Sequence, residues 1–399
     1  MKSNTVFSKN NIRIGLVQGF YWIASCVFVS YLVRLLASSG YSDYESGIVL
    51  AVSALATLTI QPILGNLSDR IKSVKHLILL CFLLSSASAG ALEFLIESRI
   101  ATCILVFVIF GSFRSLFNII DLWSFSICWD DPHFSYGFTR SFGAVFYAVS
   151  AVLFGYAIDL FGHGIIIPCF IFFSILDALI VLMIPEPSSV IRSKSNSQAL
   201  STGKALTTIL GNRQYIAVLV CYLLVEMSNT PMQNYLTRKF EVLGAGDLYT
   251  GLSFLIMGIL QLPALLCIDR IGKSVKPIIL MLVSFAGIAL RSVIMGFAQT
   301  PVMVTLSFLT EPIASGLYIG AIILYMKKIL PANVQYLGLT LYTAVTTGIA
   351  GLAGNYIAGL LSDSIGVLQM MKIMSFSSVA GFLIFAITST VFIRKGEAQ

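Results

Sequence analysis

Apolar stretches of about twenty residues, the length a helix needs to cross the hydrocarbon core of a bilayer, recur along the whole chain with only short polar breaks between them. Inside a bilayer no water pairs with the backbone, so each stretch must close its own hydrogen bonds as a helix. A window of about nineteen residues places spans near 12–37, 46–65, 76–97, 101–124, 138–161 and 164–184. A second six follow near 214–236, 248–267, 277–297, 302–326, 336–361 and 368–393. The expected fold is an all-α membrane protein of twelve transmembrane helices, with both termini on one side. Composition closes the soluble alternatives, since 57% of residues are hydrophobic and 11% charged, against about 25% charged in a soluble domain. The first span lacks a small-residue cleavage site and is too long for a signal peptide, so it is expected to stay as the first helix.

The seven cysteines are an odd number, several of them (Cys26, Cys103, Cys221) inside apolar runs, and show no CxxC spacing. Neither a disulfide framework nor a metal site is indicated. No HExxH, GxSxG or phosphate-loop pattern occurs, so neither an enzyme nor a cofactor is expected. Orientation follows from the basic residues, which mark cytoplasmic connections. They gather at 2–13, 70–75, 192–213, 270–276, 327–328 and 394–395, whereas only Arg34, Arg99, Arg238, Lys239 and Lys372 fall on the opposite side. Both termini are therefore expected in the cytoplasm, beneath a cell (plasma or inner) membrane. The net charge of +7 follows from this topology, and no nucleic-acid partner is needed. Residues 185–212, rich in Ser and Pro, read as a flexible cytoplasmic linker. It divides an N-terminal six-helix bundle, 1–184, from a C-terminal one, 213–399.

An internal repeat supports the division. Gln61, Asp69, Arg70 and Ile71 recur 200 residues later as Gln261, Asp269, Arg270 and Ile271. Both copies close the second span of their half and enter a basic loop. Parallel repeats of this kind are what a two-bundle carrier needs, because its halves rock about a central site to alternate access. The loop Gly65-Asn-Leu-Ser-Asp69-Arg70-Ile71-Lys72 resembles the loop 2–3 signature of the major facilitator superfamily, and Asp269-Arg270-Ile-Gly-Lys273 resembles its second-half counterpart. Tyr44-Glu-Ser-Gly47, Tyr136-Gly137-Phe138-Thr139-Arg140-Ser-Phe142-Gly143 and Ser364-Ile-Gly366 are similar to motifs of its lactose permease group, the oligosaccharide/nucleoside:proton symporters.

The resemblance implies roles. Asp69, Arg70, Asp269 and Arg270 would latch the cytoplasmic side. Arg140 falls on the family's sugar-binding arginine, Asp121 lies within one position of its carboxylate partner, and Tyr147 takes the place of an aromatic ring that stacks on sugar. Glu226 and Asn229 align with two aspartates of the seventh span and are counted as substrate contacts. Arg291 matches an arginine of the ninth span, and Glu311 lies within one position of the proton-carrying glutamate of the tenth. The chemistry stands unaided, because a carboxylate and a guanidinium together grip hydroxyls and an aromatic face suits a pyranose or a nucleobase. Departures narrow the match. Met257-Gly258-Ile259 stands where the family has a sugar-binding glutamate, and Arg114, two turns from Asp121 on one helix face, stands where it has a neutral residue.

The partners expected are thus a small polar solute, a proton and the lipid bilayer, with a monomer as the working unit. An efflux antiporter of the same fold is the alternative. A sensor that no longer transports is a third reading, disfavoured by the lack of any sizeable soluble segment.

Overall fold

The computed structural model describes residues 8–71, 73–128, 135–184, 202–331 and 333–394. Twelve helical rods follow in order: α1 (Lys9–Val29), α2 (Asp43–Arg70), α3 (Val74–Leu95), α4 (Arg99–Cys128), α5 (Tyr136–Phe161) and α6 (Ile166–Met183); then α7 (Arg213–Asn234), α8 (Asp247–Ser274), α9 (Pro277–Phe297), α10 (Pro301–Ile329), α11 (Leu337–Ile365) and α12 (Val367–Arg394). Among the described residues eleven are long and apolar enough to cross a membrane, and Asp247–Gln261 is a shorter apolar stretch of α8.

Polar caps punctuate the apolar runs. Ser42 closes a capping box with Glu45 at the start of α2, the Ser73, Ser135 and Asn212 side chains accept from the first turns of α3, α5 and α7, and α9 and α10 open on prolines that need no donor. The chain divides into two compact units, one of residues 1–193 with 246–255, the other of 194–245 with 256–399. In the first, α1 packs on α5 and α6, and α3 on α4 and α6; in the second, α7 packs on α11 and α12, and α9 on α10 and α12. The two units therefore repeat one pairing scheme, as a parallel duplication requires.

The structure uncovers a second repeat. Tyr31, Leu32, Arg34, Gly40 and Asp43 recur 204 residues later as Tyr235, Leu236, Arg238, Gly244 and Asp247, and Asp159 and Gly162 recur as Asp363 and Gly366. All four positive-φ residues of the described chain are these glycines, Gly40, Gly162, Gly244 and Gly366. At both tyrosines the rod breaks and resumes as a seven-residue helix, Leu32–Ser38 or Leu236–Val242. The first and seventh spans are thus interrupted rather than continuous, because Tyr31 and Tyr235 are fully buried and hold non-helical dihedrals.

Charged side chains finish these ends. Asp159 accepts from the backbone amides of Asp247 and Leu248 at 2.7 and 2.9 Å, capping α8, while Arg34 pairs with Asp247 at 3.1 Å. Lys239, which the sequence places in an exposed connection, is fully buried and donates to the Met295 and Gly296 carbonyls at the end of α9. These are orphan carbonyls at the negative pole of a helix. Burial, with Lys372 nearby, lowers its amine to about 8. Within the expected linker, residues 185–201 lie outside the described set, but Thr202–Leu210 is a helix whose Ala205 and Ile209 join the buried core of the second unit.

Close helix approach depends on missing side chains. A Cβ added to Gly354 of α11 would stand 2.6 Å from the Met227 carbonyl oxygen of α7, whereas one added to Gly65 would meet nothing within 4 Å. Gly354→Ala is expected to cost about 1–3 kcal/mol through overpacking, and Gly65→Ala to be neutral or stabilising by up to about 1 kcal/mol. Thermal unfolding midpoints of the two variants in detergent check the contrast.

Candidate functional site

Most ionisable groups within the rods collect in one cluster per unit; Asp177 of α6 stands apart, fully buried with neither carboxyl oxygen hydrogen-bonded. In the first, Gln18 of α1 joins Asp121 of α4 to Arg140 of α5: its amide donates to Asp121 at 2.7 Å and accepts from Arg140 at 3.1 Å. The guanidinium of Arg140 lies over the rings of Trp22 (5.0 Å) and Phe117 (4.7 Å), a favourable placement for a cation. Gly143 leaves room for this, since a Cβ there would stand 2.5 Å from the Trp22 ring. Tyr147 meets the Trp22 ring edge-on at 5.6 Å, packs likewise on Phe254 at 6.1 Å, and shares a 3.1 Å hydrogen bond with Ser30. The Trp22 indole nitrogen is buried with no partner, a donor left for something else. Arg114 is nearest the Phe110 ring, at 5.9 Å.

The second cluster crosses α7, α9 and α10. Arg291 and Glu311, 2% and 1% exposed, form an ion pair. Arg291 also donates to the Asn229 oxygen, and the Asn229 amide donates to Glu226 at 3.1 Å. Thr230 donates to the other Glu226 oxygen at 2.5 Å, and Gln233 to Asn229 at 3.1 Å. Immediately after Glu311, α10 widens into a π segment, Pro312–Gly316, with Ala314 at ψ −107°. A second π segment, Ala344–Ile349, interrupts α11. Such segments leave carbonyls and side chains re-aimed and are frequent at functional sites.

The structure brings together Asp121, Arg140 and Tyr147 around Trp22, and separately Glu226, Asn229, Arg291 and Glu311. It places Arg114 beside the Phe110 ring, with its charge acting on Tyr147. Asp69 and Arg70 stand at the end of α2, and Asp269 and Arg270 within α8, which runs on to Ser274; their side chains lie outside the described residues. Sequence reasoning missed Gln18, Trp22, Thr230 and Gln233. A signal was present for the second cluster, because Tyr222, Glu226, Asn229 and Gln233 sit at i, i+4, i+7 and i+11, one polar stripe down an otherwise apolar helix. Gln18 had no such pattern. Among the described residues no group of three His, Cys, Asp or Glu side chains is placed to hold a metal.

Comparison with known proteins gives a consistent fold. The MFS_1 like family model matches residues 12–389. The uncharacterized transporter YwbF of Bacillus subtilis (strain 168) is 22% identical over 396 residues, covering 96% of this chain and 93% of that protein. A mutant of the nucleoside transporter NupG superposes with a TM-score of 0.83 at 13% identity, over 95% of this chain and 99% of that one. A D-xylose–proton symporter gives 0.71 at 13% identity, over 94% and 96%. The fucose:proton symporter FucP of E. coli gives 0.59 at 16% identity, over 95% and 99%.

The buried ion pair makes a stability prediction. Arg291→Leu strands a buried carboxylate and is expected to cost about 3–5 kcal/mol, whereas the double change with Glu311→Leu recovers most of that loss. Thermal midpoints of wild type, both single variants and the double variant measure the coupling.

Proposed function

Because the chain belongs to the MFS_1-like family of major facilitator transporters, we propose that it works as a proton-coupled symporter of a small polar solute, a nucleoside or a small sugar. The first cluster carries the solute reading. Arg140, Gln18 and Asp121 offer a chain of donors and acceptors for hydroxyls or ring amides, and the Trp22 and Tyr147 rings beside them offer an aromatic wall for a nucleobase or the apolar face of a pyranose. The unpartnered Trp22 indole donor fits a solute acceptor that completes it. The family's neighbours include a nucleoside transporter and two sugar–proton symporters, which supports both solute classes.

The second cluster carries the proton reading. An approaching guanidinium favours the ionised form of a carboxyl, and an apolar surround favours the neutral one. A change in the Arg291–Glu311 distance during the transport cycle thus loads or releases a proton. Asp69, Arg70, Asp269 and Arg270, placed by the sequence repeat at the two basic connections, serve as the latch of the cytoplasmic side. The protein works as a monomer in a plasma or inner membrane with both termini in the cytoplasm, as its basic connections require. The aromatic wall around a cation also suits an exported lipophilic compound, and the direction of proton-driven movement separates that reading from symport.

Two experiments test the proposal. In proteoliposomes, counterflow of labelled nucleosides and sugars should identify a solute whose binding Arg140→Lys abolishes, because an ammonium cannot reproduce the planar fork; full activity in that variant makes Arg140 structural. Glu311→Gln, a mimic of the protonated acid, should lose uphill accumulation while keeping solute exchange. Retained accumulation with pH-dependent currents moves the coupling site elsewhere.

A further inference from the structure

The second cluster does not balance its charge. Glu226, Glu311 and Arg291 are two acids and one base, joined through Asn229. An uncompensated charge inside an apolar bundle costs at least about 2.5–3.5 kcal/mol, so this trio is best served by one added proton. Glu311 faces the guanidinium directly. Glu226 is held by neutral groups, the Asn229 amide and the Thr230 hydroxyl, and Tyr222 stands one turn before it on the same face of α7. Arg291 stays on Glu311, which leaves Glu226 as the acid open to the tyrosines.

A path leads away from Glu226. The rings of Tyr222 and Tyr318 stack at 4.2 Å with 10° between planes, which lays the two phenols alongside one another. The Tyr318 hydroxyl donates to that of Tyr342 at 3.0 Å. Tyr215 is the further titratable group facing Tyr342. Depth gives the chain a direction. Glu311 lies near the Pro301 end of α10, whereas Tyr342 lies seven residues from Gln335, about 10 Å along the helix from the opposite end.

We propose that Glu226 and Glu311 share one proton across Arg291, and that the hydroxyls of Tyr222, Tyr318 and Tyr342 carry it between Glu226 and the cytoplasmic end of the second unit. On release, the Glu226 O–H bond breaks as its proton passes to the Tyr222 oxygen. The Tyr222 hydroxyl hydrogen moves to Tyr318, that of Tyr318 to Tyr342, and that of Tyr342, 1% exposed in this conformation, to a water admitted when the cytoplasmic side opens, which leaves as hydronium. Each tyrosine ends neutral and resets by turning its hydroxyl. The relay rests on the reading that Glu311 takes part in coupling, and its test needs no solute.

Wild type, Glu226→Gln, Glu311→Gln and Tyr318→Phe are reconstituted in lipid vesicles, and an infrared carboxylic C=O band is followed after an acid pH jump. The band should appear in wild type and vanish in both glutamine variants, since each leaves a single carboxylate balanced by Arg291. In Tyr318→Phe, which keeps the ring stack but deletes the central hydroxyl, it should reach the same amplitude about a hundredfold more slowly. Tyr342→Phe breaks the same chain and replaces that variant if it fails to fold. A band that rises at the wild-type rate without the hydroxyl overturns the relay and leaves the coupling reading standing. A band that survives in one glutamine variant overturns the shared proton, and a band that survives in both overturns the coupling reading as well.

Discussion

A bilayer interior supplies no water, so a polar group held there is costly unless it finds a partner within the protein. That single demand orders the structure from backbone to site. It makes each apolar run a helix, and it turns hydroxyls back onto their own helix: Ser112, Ser115 and Ser124 of α4 donate to the carbonyls of Val108, Gly111 and Ile120 at 2.7, 2.6 and 2.6 Å. It also gathers ionisable residues, because a guanidinium such as Arg291 at 2% exposure persists only beside a carboxylate and further acceptors. The two polar clusters are in this sense consequences of the membrane as much as of chemistry.

The same demand explains what the sequence made legible. Twelve spans could be placed because hydropathy reports the bilayer directly, and Arg291 and Glu311 stood out as charges inside the ninth and tenth of them. Partner choice was harder. Nothing in the run Ile14–Ala24 marks Gln18 as the link between residues 103 and 122 positions away, since an amide in an apolar helix looks the same whichever neighbour it faces. Helix interruptions were equally hidden. Tyr31 and Tyr235 hold non-helical dihedrals where their rods break, and the π segments of α10 and α11 begin at Pro312 and Ala344. Lys239 illustrates the limit of counting charges by loop, for its long stem lets the amine reach carbonyls at the end of α9.

The repeat at 204 residues shows which features of the duplicated half have kept their geometry. Gly40 and Gly244 hold φ values of +78° and +73°, and Gly162 and Gly366 hold +79° and +83°. Side-chain-bearing residues avoid that region, so the turn itself demands glycine. Around these turns Asp43 and Asp247 open helices, and Asp159 accepts from the amides at the start of α8, whereas its counterpart Asp363 is exposed. The interior positions, by contrast, have diverged: Asp121 and Arg140 have no counterparts at that offset in Tyr325 and Ala344. Turn geometry is fixed by the backbone, whereas buried charge is free to change once each new group brings a partner.

Those diverged interiors nevertheless converge on one device. In each unit an amide from the first rod stands between an acid and an arginine: Gln18 of α1 between Asp121 and Arg140, Asn229 of α7 between Glu226 and Arg291. A direct ion pair is locked, because removing either charge strands the other. An amide presents a donor to the carboxylate and an acceptor to the guanidinium, and it keeps both contacts when the acid is protonated, because the carbonyl oxygen of the neutral acid still accepts from the amide. Both protonation states then leave the guanidinium bonded. For a bundle that must lose and regain a proton, or exchange a solute hydroxyl for an internal contact, the neutral spacer lowers the cost of the intermediate in which a charge has gone, and so keeps two arrangements close in energy where a salt bridge would allow one.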